Sequence, residues 1–208
     1  SHIKEPSLLE DMKAFNHQER NHFECHRKVN ELLKKNGYPQ FAKIERYFKK
    51  SYERLLKRSL RTRLAYSAGF ETMTKGFTNW VIRKRSKLWV GADRHMTTFW
   101  LMHLLEEGEH KTVAFDVYMA YSGKYLPRAI GVLHGSFHVL GLGIYAMFSA
   151  LKGDQLLTKP AVIFLLFKEC SLLIWNVSPY LFHALLPWHN PRSFKDPEWM
   201  LEWIEGYN

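Results

Sequence analysis

The chain has 208 residues, 46% of them hydrophobic, which is enough for a substantial core, and residues 1–208 read as a single helical domain. Its 30 Lys and Arg against 20 Asp and Glu leave a formal charge of +10, a balance that suits an anionic membrane surface, nucleic acid or an acidic substrate. No zinc-knuckle, RNA-recognition or helix-turn-helix signature accompanies that charge, so no nucleic-acid partner is expected, and the two cysteines, Cys25 and Cys170, exclude a disulfide scaffold and fit a reducing, cytoplasmic setting.

The opening Ser1-His2-Ile3-Lys4-Glu5-Pro6 is polar and reads as a processed or trimmed end rather than a signal peptide. From Leu8 to Lys35 apolar and charged residues recur at helical spacing, with Ser7 as candidate N-cap and Asn36-Gly37 as a stop before Pro39. A second pattern, from about Ser51 to Arg85, is interrupted only by Gly69 and Gly76 and reads as one long helix whose glycines permit close contact with a neighbour. A third helix spans roughly Arg94 to Ser122, with Asp93 as its cap and Gly123 at its end. Much of the positive charge lies between Lys34 and Arg94, where it serves equally as a solubilising face or as a contact with an anionic surface.

After Pro127 charge becomes sparse. Ala129 to Leu151 and Ala161 to Leu186 approach the roughly 20 apolar residues of a bilayer span. His134 and His138 interrupt the first and Lys168-Glu169 the second, so buried or membrane-contacting helices are expected rather than spans. The tail from Trp188 to Trp203 reads as an ordered loop followed by a short helix.

The metal-competent side chains follow the helical period. Glu19, His22 and His26 project to one side of the first helix, and His103, Glu107 and His110 repeat the arrangement in the third, flanked by Glu106 and Glu109. Matching E-x-x-H pairs on two helices, with a single Glu from each of two others, are the ligand pattern of di-iron and di-manganese carboxylate bundles. Carboxylates bridge and neutralise two cations, while imidazoles leave coordination positions open. That mixture suits iron or manganese, with zinc as an alternative. A lone E-x-x-H is more often a solvated Glu beside a surface or core His; two in register are more specific.

The second helix supplies Glu71 from the apolar setting Leu64 to Phe70, where an isolated carboxylate needs a partner. The bland alternative is a salt bridge to Lys75, one turn later. For a fourth carboxylate the sequence offers Glu169, although the adjacent Lys168 is a ready neutralising neighbour. The fold class is therefore all-α, a ferritin-like four-helix-bundle core carrying additional apolar C-terminal helices.

Taken together, Phe15 to His22 with His26 and Asn30, then Glu71, then Trp100 to Tyr118, resemble a bacterial family described as predicted metal-dependent hydrolases. The resemblance extends through Gly123 to Arg128 and into Pro187-Trp188-His189-Asn190-Pro191, and Glu106 to Tyr118 is its most specific stretch. It implies an upstream Pro-x-Gly-Glu-x-x-Phe segment whose Glu is the natural first-helix ligand, and this sequence begins beyond that point. At Thr72 the family commonly has His, so the resemblance does not carry over a further nitrogen ligand or a supporting hydrogen bond at this position.

Two enzymatic readings and one structural reading follow. In the first, two metal ions, iron before manganese or zinc, activate dioxygen on a small hydrophobic, lipid-like substrate, with Glu19, His22, Glu71, Glu107 and His110 as ligands and His26 and His103 as additional or supporting groups. Asp116 or Glu106 would accept the outer N–H of a ligating histidine. In the second, a metal-bound water of lowered pKa hydrolyses an ester, amide or phosphate, with Glu106 as general base. In the third, the Glu and His residues are structural in a membrane-associated helical protein. The expected partners are the substrate, a peripheral membrane at its inner face and a second copy in a homodimer; the substrate-binding residues are not legible.

Overall fold

The computed structural model describes residues 3–84, 89–110 and 112–194; the side chains of Lys84 and residues 108–110 are outside that description. The described residues form an all-α bundle, as the periodicity requires, with helices α1 (Pro6–Lys35), α2 (Phe41–Leu56), α3 (Leu60–Lys84), α4 (Arg94–His110), α5 (Val113–Tyr121), α6 (Tyr125–Gly153) and α7 (Pro160–Ala184). Short 3₁₀ turns at Leu156–Thr158 and Pro191–Ser193 complete it.

The caps show why the helices begin and end here. Helix α1 starts one residue before the expected cap: Glu5 occupies the N-cap position with Pro6 in the first turn, and Ser7, already helical, donates its hydroxyl to the Glu5 carboxylate. At its end Asn36 bonds the Leu32 carbonyl through both backbone and side chain before Gly37 turns at a φ of +106°. Asp93 caps α4 by accepting from the Met96 N–H at 3.0 Å, and Gly123 follows α5 at a φ of +59°.

Two expected helices are divided. The Ser51–Arg85 pattern is broken between α2 and α3, where Ser59 accepts from the Thr62 N–H and starts a new helix. Apolar periodicity continues across such a break because both pieces face the same core. The Arg94–Ser122 pattern is likewise split between α4 and α5.

Helix α3 is the hub, packed against α4, α5, α6 and α7, while α1 lies across α5 and α4. Its lower part joins Ala65 and Ala68 to the fully buried Tyr118, and its upper part joins Trp80 and Val81 to Leu104. Each large apolar side chain so buried stabilises the fold by about 1.5–3 kcal/mol. Glu71 falls on α3 between these two clusters. The α3–α6 crossing is unusually close: a Cβ on Gly69 would strike the backbone of Gly131, and one on Gly131 would strike the Ala65 carbonyl. The close contact expected for Gly69 is thus made with a second glycine, and Gly76 lies against the Tyr180 ring.

The start of α6 is tied to the end of α7. Buried Arg128 donates to the Ala184 and Leu186 carbonyls, each at 2.6 Å, where the exposed C-terminal carbonyls of a helix carry partial negative charge. Helices α6 and α7 are both long and apolar enough to cross a membrane by length and composition. In the most apolar stretch of α7 only 6% of the residues are buried, against 28% in α6, so α7 is not the buried helix its composition allows. The expected short helix in the tail lies outside the described residues.

Candidate metal centre

Three helices deliver the polar cluster. Helix α1 brings Glu19, His22 and His26, α3 brings Glu71, and α4 brings His103, Glu106 and Glu107. His22, Glu71 and Glu107 are 7%, 1% and 3% exposed. Burying two carboxylates beside a half-buried third is costly unless a cation or proton compensates.

The ligand-competent atoms form two overlapping groups. One atom each from His22, His103 and Glu107 lie within 4.8 Å of one another, and so do atoms from Glu19, Glu71 and Glu107. Glu107 belongs to both. Its Oε1 is 3.5 Å from His22 Nδ1 and 3.6 Å from His103 Nε2, and His22 Nδ1 is also 3.5 Å from Glu19 Oε1. On the other side of the ring His22 Nε2–H donates to Glu106 Oε2 at 2.7 Å. That bond turns Nδ1 toward Glu19 and Glu107, the orientation an outer carboxylate commonly gives a metal-binding imidazole.

Proton affinities record the same crowding. Burial works against a charged His22, but its contacts with Glu107, Glu19 and Glu106 outweigh that and push the imidazole up to about 11. Burial, then the charges of Glu107 and Glu19, push the Glu71 carboxyl well up, with His22 acting in the opposite sense. His26 is pushed down by burial and by His22, and its Nε2 is 3.3 Å from His103 Nε2.

A bound metal suits this donor set. Buried Glu71 Oε2 and Glu107 Oε2 have no hydrogen-bond partner, and no Lys or Arg among the described residues forms an ion pair with either residue. Among the described residues no Glu71–Lys75 ion pair is seen, and Lys75, itself buried, has a partner of its own. The His22 imidazolium offsets part of the charge of the three carboxylates, and a divalent cation would displace its proton and satisfy the carboxylate oxygens left without partners.

A family model described as predicted metal-dependent hydrolase matches residues 1–194. The chain belongs to that family. No curated protein and no solved structure matches it. Membership of the predicted metal-dependent hydrolases places metal dependence on firmer ground than spacing alone. It also favours hydrolysis over oxidation, the reverse of the order suggested by the E-x-x-H pattern.

Within this member of the predicted metal-dependent hydrolases, five of the seven expected ligands, Glu19, His22, Glu71, His103 and Glu107, fall in these groups between α1, α3 and α4, and His26 adjoins them through His103. The seventh, His110, has its side chain outside the described residues. Glu106 meets the cluster through His22, whereas Asp116 is held by both terminal nitrogens of Arg192 at 2.9 and 2.6 Å and bonds none of the expected ligands among the described side chains. Glu169, on the partly exposed α7, is in neither ligand group. Thr72 turns its hydroxyl back to the Ala68 carbonyl at 2.9 Å, as a mid-helix threonine commonly does.

Sequence reasoning missed a polar network beside the cluster. Tyr52 feels the charges of Glu19 and Glu71. Tyr66 OH lies 3.4 Å from the Tyr52 hydroxyl and 2.7 Å from His138 Nδ1, and His138 Nε2 is 2.7 Å from Ser51 Oγ. The available signal was His134 and His138 one turn apart in an otherwise apolar segment.

Proposed function

We propose that the chain is a hydrolase that holds two divalent metal ions between α1, α3 and α4 and cleaves an ester, amide or phosphate bond in a small hydrophobic substrate. The observation that carries this reading is the shared position of Glu107: one carboxylate reaches both ligand groups and can bridge two cations. When bound, the metals polarise the scissile group and make water acidic enough to react near neutral pH.

The chain's own residues set the conditions for that chemistry. Glu19, Glu71 and Glu107 neutralise the cations, and His22 and His103 add neutral donors. Glu106 positions His22 through its Nε2–H. It is also the more open carboxylate, with 37% of its side-chain surface exposed against 5% for Glu107, and so can pass a proton to solvent. Phe99 and Trp100 pack against the His26 and His103 rings and give the site an apolar wall, which supports a hydrophobic substrate. Iron or manganese fits the carboxylate-rich set better than zinc.

The test is metal analysis of the purified chain with turnover of a hydrophobic ester and phosphoester. About two metals per chain are expected, and Glu107→Gln is expected to lose both the metal and turnover. Full occupancy in Glu107→Gln overturns the assignment. The three-carboxylate set also favours a second reading, iron reacting with dioxygen. A near-ultraviolet charge-transfer absorption that bleaches on reduction, with no hydrolytic turnover, selects it.

A further inference from the structure

We propose that the outward faces of α6 and α7, bordered by the basic face of α2, lie against an anionic lipid bilayer. The proposal is independent of the metal centre, because none of its residues is a ligand.

The first observation is the breadth of exposed apolar surface. Phe164, Phe167 and Trp175 are 71%, 72% and 78% exposed, with Ile163, Leu165 and Phe182 also in the open. At about 100° per residue these positions spread over roughly 200° of the α7 circumference, interrupted by the exposed Lys168, and run almost its whole length. A helix docking against one protein neighbour uses a stripe of about 100°, so α7 presents more apolar surface than such a contact needs. The outer side of α6 continues it with Ile130, Leu133 and Phe137.

The second observation is charge beside that surface. Exposed Lys43, Arg46, Lys49 and Lys50 lie on α2, and Lys43 and Tyr47 share a cavity of about 430 Å³ with Phe137, Leu142 and Tyr145 of α6. Lys152 and Lys159 flank the α6–α7 connection, and the whole chain carries +10. Cations at the edge of an apolar face suit phosphate headgroups above acyl chains.

The third observation separates contact from crossing. The inner side of α6 is closed by α3 at Gly131 and Gly135, and its His138 is bonded to Ser51 of α2. Threading α6 through a bilayer would carry the α2 lysines into hydrocarbon, which is costly. The bilayer therefore covers the outer faces only, and the metal cluster stays outside it.

Flotation of the full chain with phosphatidylcholine vesicles, with and without phosphatidylglycerol, tests this. Binding is expected with the anionic lipid and on the order of tenfold weaker without it or at high salt. The combined Phe164→Ser, Phe167→Ser and Trp175→Ser variant is expected to lose binding on the order of tenfold or more while keeping its helical circular dichroism and metal content. If that variant loses its helicity, Lys43→Glu with Lys49→Glu serves instead, and it should abolish the preference for anionic vesicles. A chain that ignores both vesicle types, or variants that float like the parent, overturns the proposal. So does a dimer in light scattering that the triple variant dissociates without any vesicle binding, which gives the face to a second copy.

Discussion

Between α1, α3 and α4 the chain buries Glu71, Glu107 and His22, whereas along α7 it leaves Phe164, Phe167 and Trp175 in the open. Each region reverses the ordinary distribution of polarity, in opposite senses, on helices of one bundle. A buried carboxylate and an exposed aromatic are both unfavourable in an isolated chain. On the proposed readings the first would be compensated by a cation and the second by an apolar surface brought from outside. Helix α3 connects the regions, since it carries Glu71 and also supplies the glycine that seats α6.

The largest expected effect breaks that connection. Gly131→Ala drives a methyl group into the Ala65 backbone, and backbone cannot rotate away as a side chain can. A loss of about 3 kcal/mol in unfolding free energy is expected, the upper range for overpacking, read by chemical denaturation. A loss below about 1 kcal/mol would show that the crossing is looser than described.

Glu71→Gln sharpens the contrast because its sign depends on metal. In metal-free protein the change removes the cost of holding a buried carboxyl protonated beside Glu107 and Glu19 and should stabilise by on the order of 1–2 kcal/mol. In metal-loaded protein it removes a ligand, so the rise in melting temperature on adding metal should shrink or vanish. Destabilisation of the metal-free form would mean that Glu71 is satisfied by the protein alone.

The smallest effect lies at the end of α7, where His189 packs near Arg128 and His183 and against the Phe115 ring. Burial, Arg128 and His183 push its imidazole down to about 4. A depressed histidine contributes stability above its unfolded value near 6.5 and loses it as pH falls toward 4. An effect on the order of 1 kcal/mol is expected over that window. His189→Gln should flatten the acid limb of stability against pH, and an unchanged limb would place the titration elsewhere.

How much could be read in advance differs between fold and centre. The all-α class and most helix ends were legible, because capping by Asp93 and arrest at Asn36-Gly37 are local chemistry. The two helix breaks were not, since Ser59 and the α4–α5 junction interrupt hydrogen bonds without interrupting apolar periodicity. That Glu19 and His22 share a face of one helix, and His103 and Glu107 a face of another, was legible because i, i+3 and i+4 spacing fixes a face; Glu71 was legible from its apolar setting.

What the sequence determines by itself, then, is the helices and the face on which each acidic or imidazole group stands. Which faces meet was decided only by the tertiary structure. Of the two carboxylates expected to stand behind a ligating histidine, Glu106 is bonded to His22 and Asp116 is paired with Arg192, and α7 is turned outward although its composition allowed burial. The physical reason is that periodicity is set by bonds within one helix. The neighbour of a face is set by close packing between helices distant in sequence, here the approach of Gly69 to Gly131.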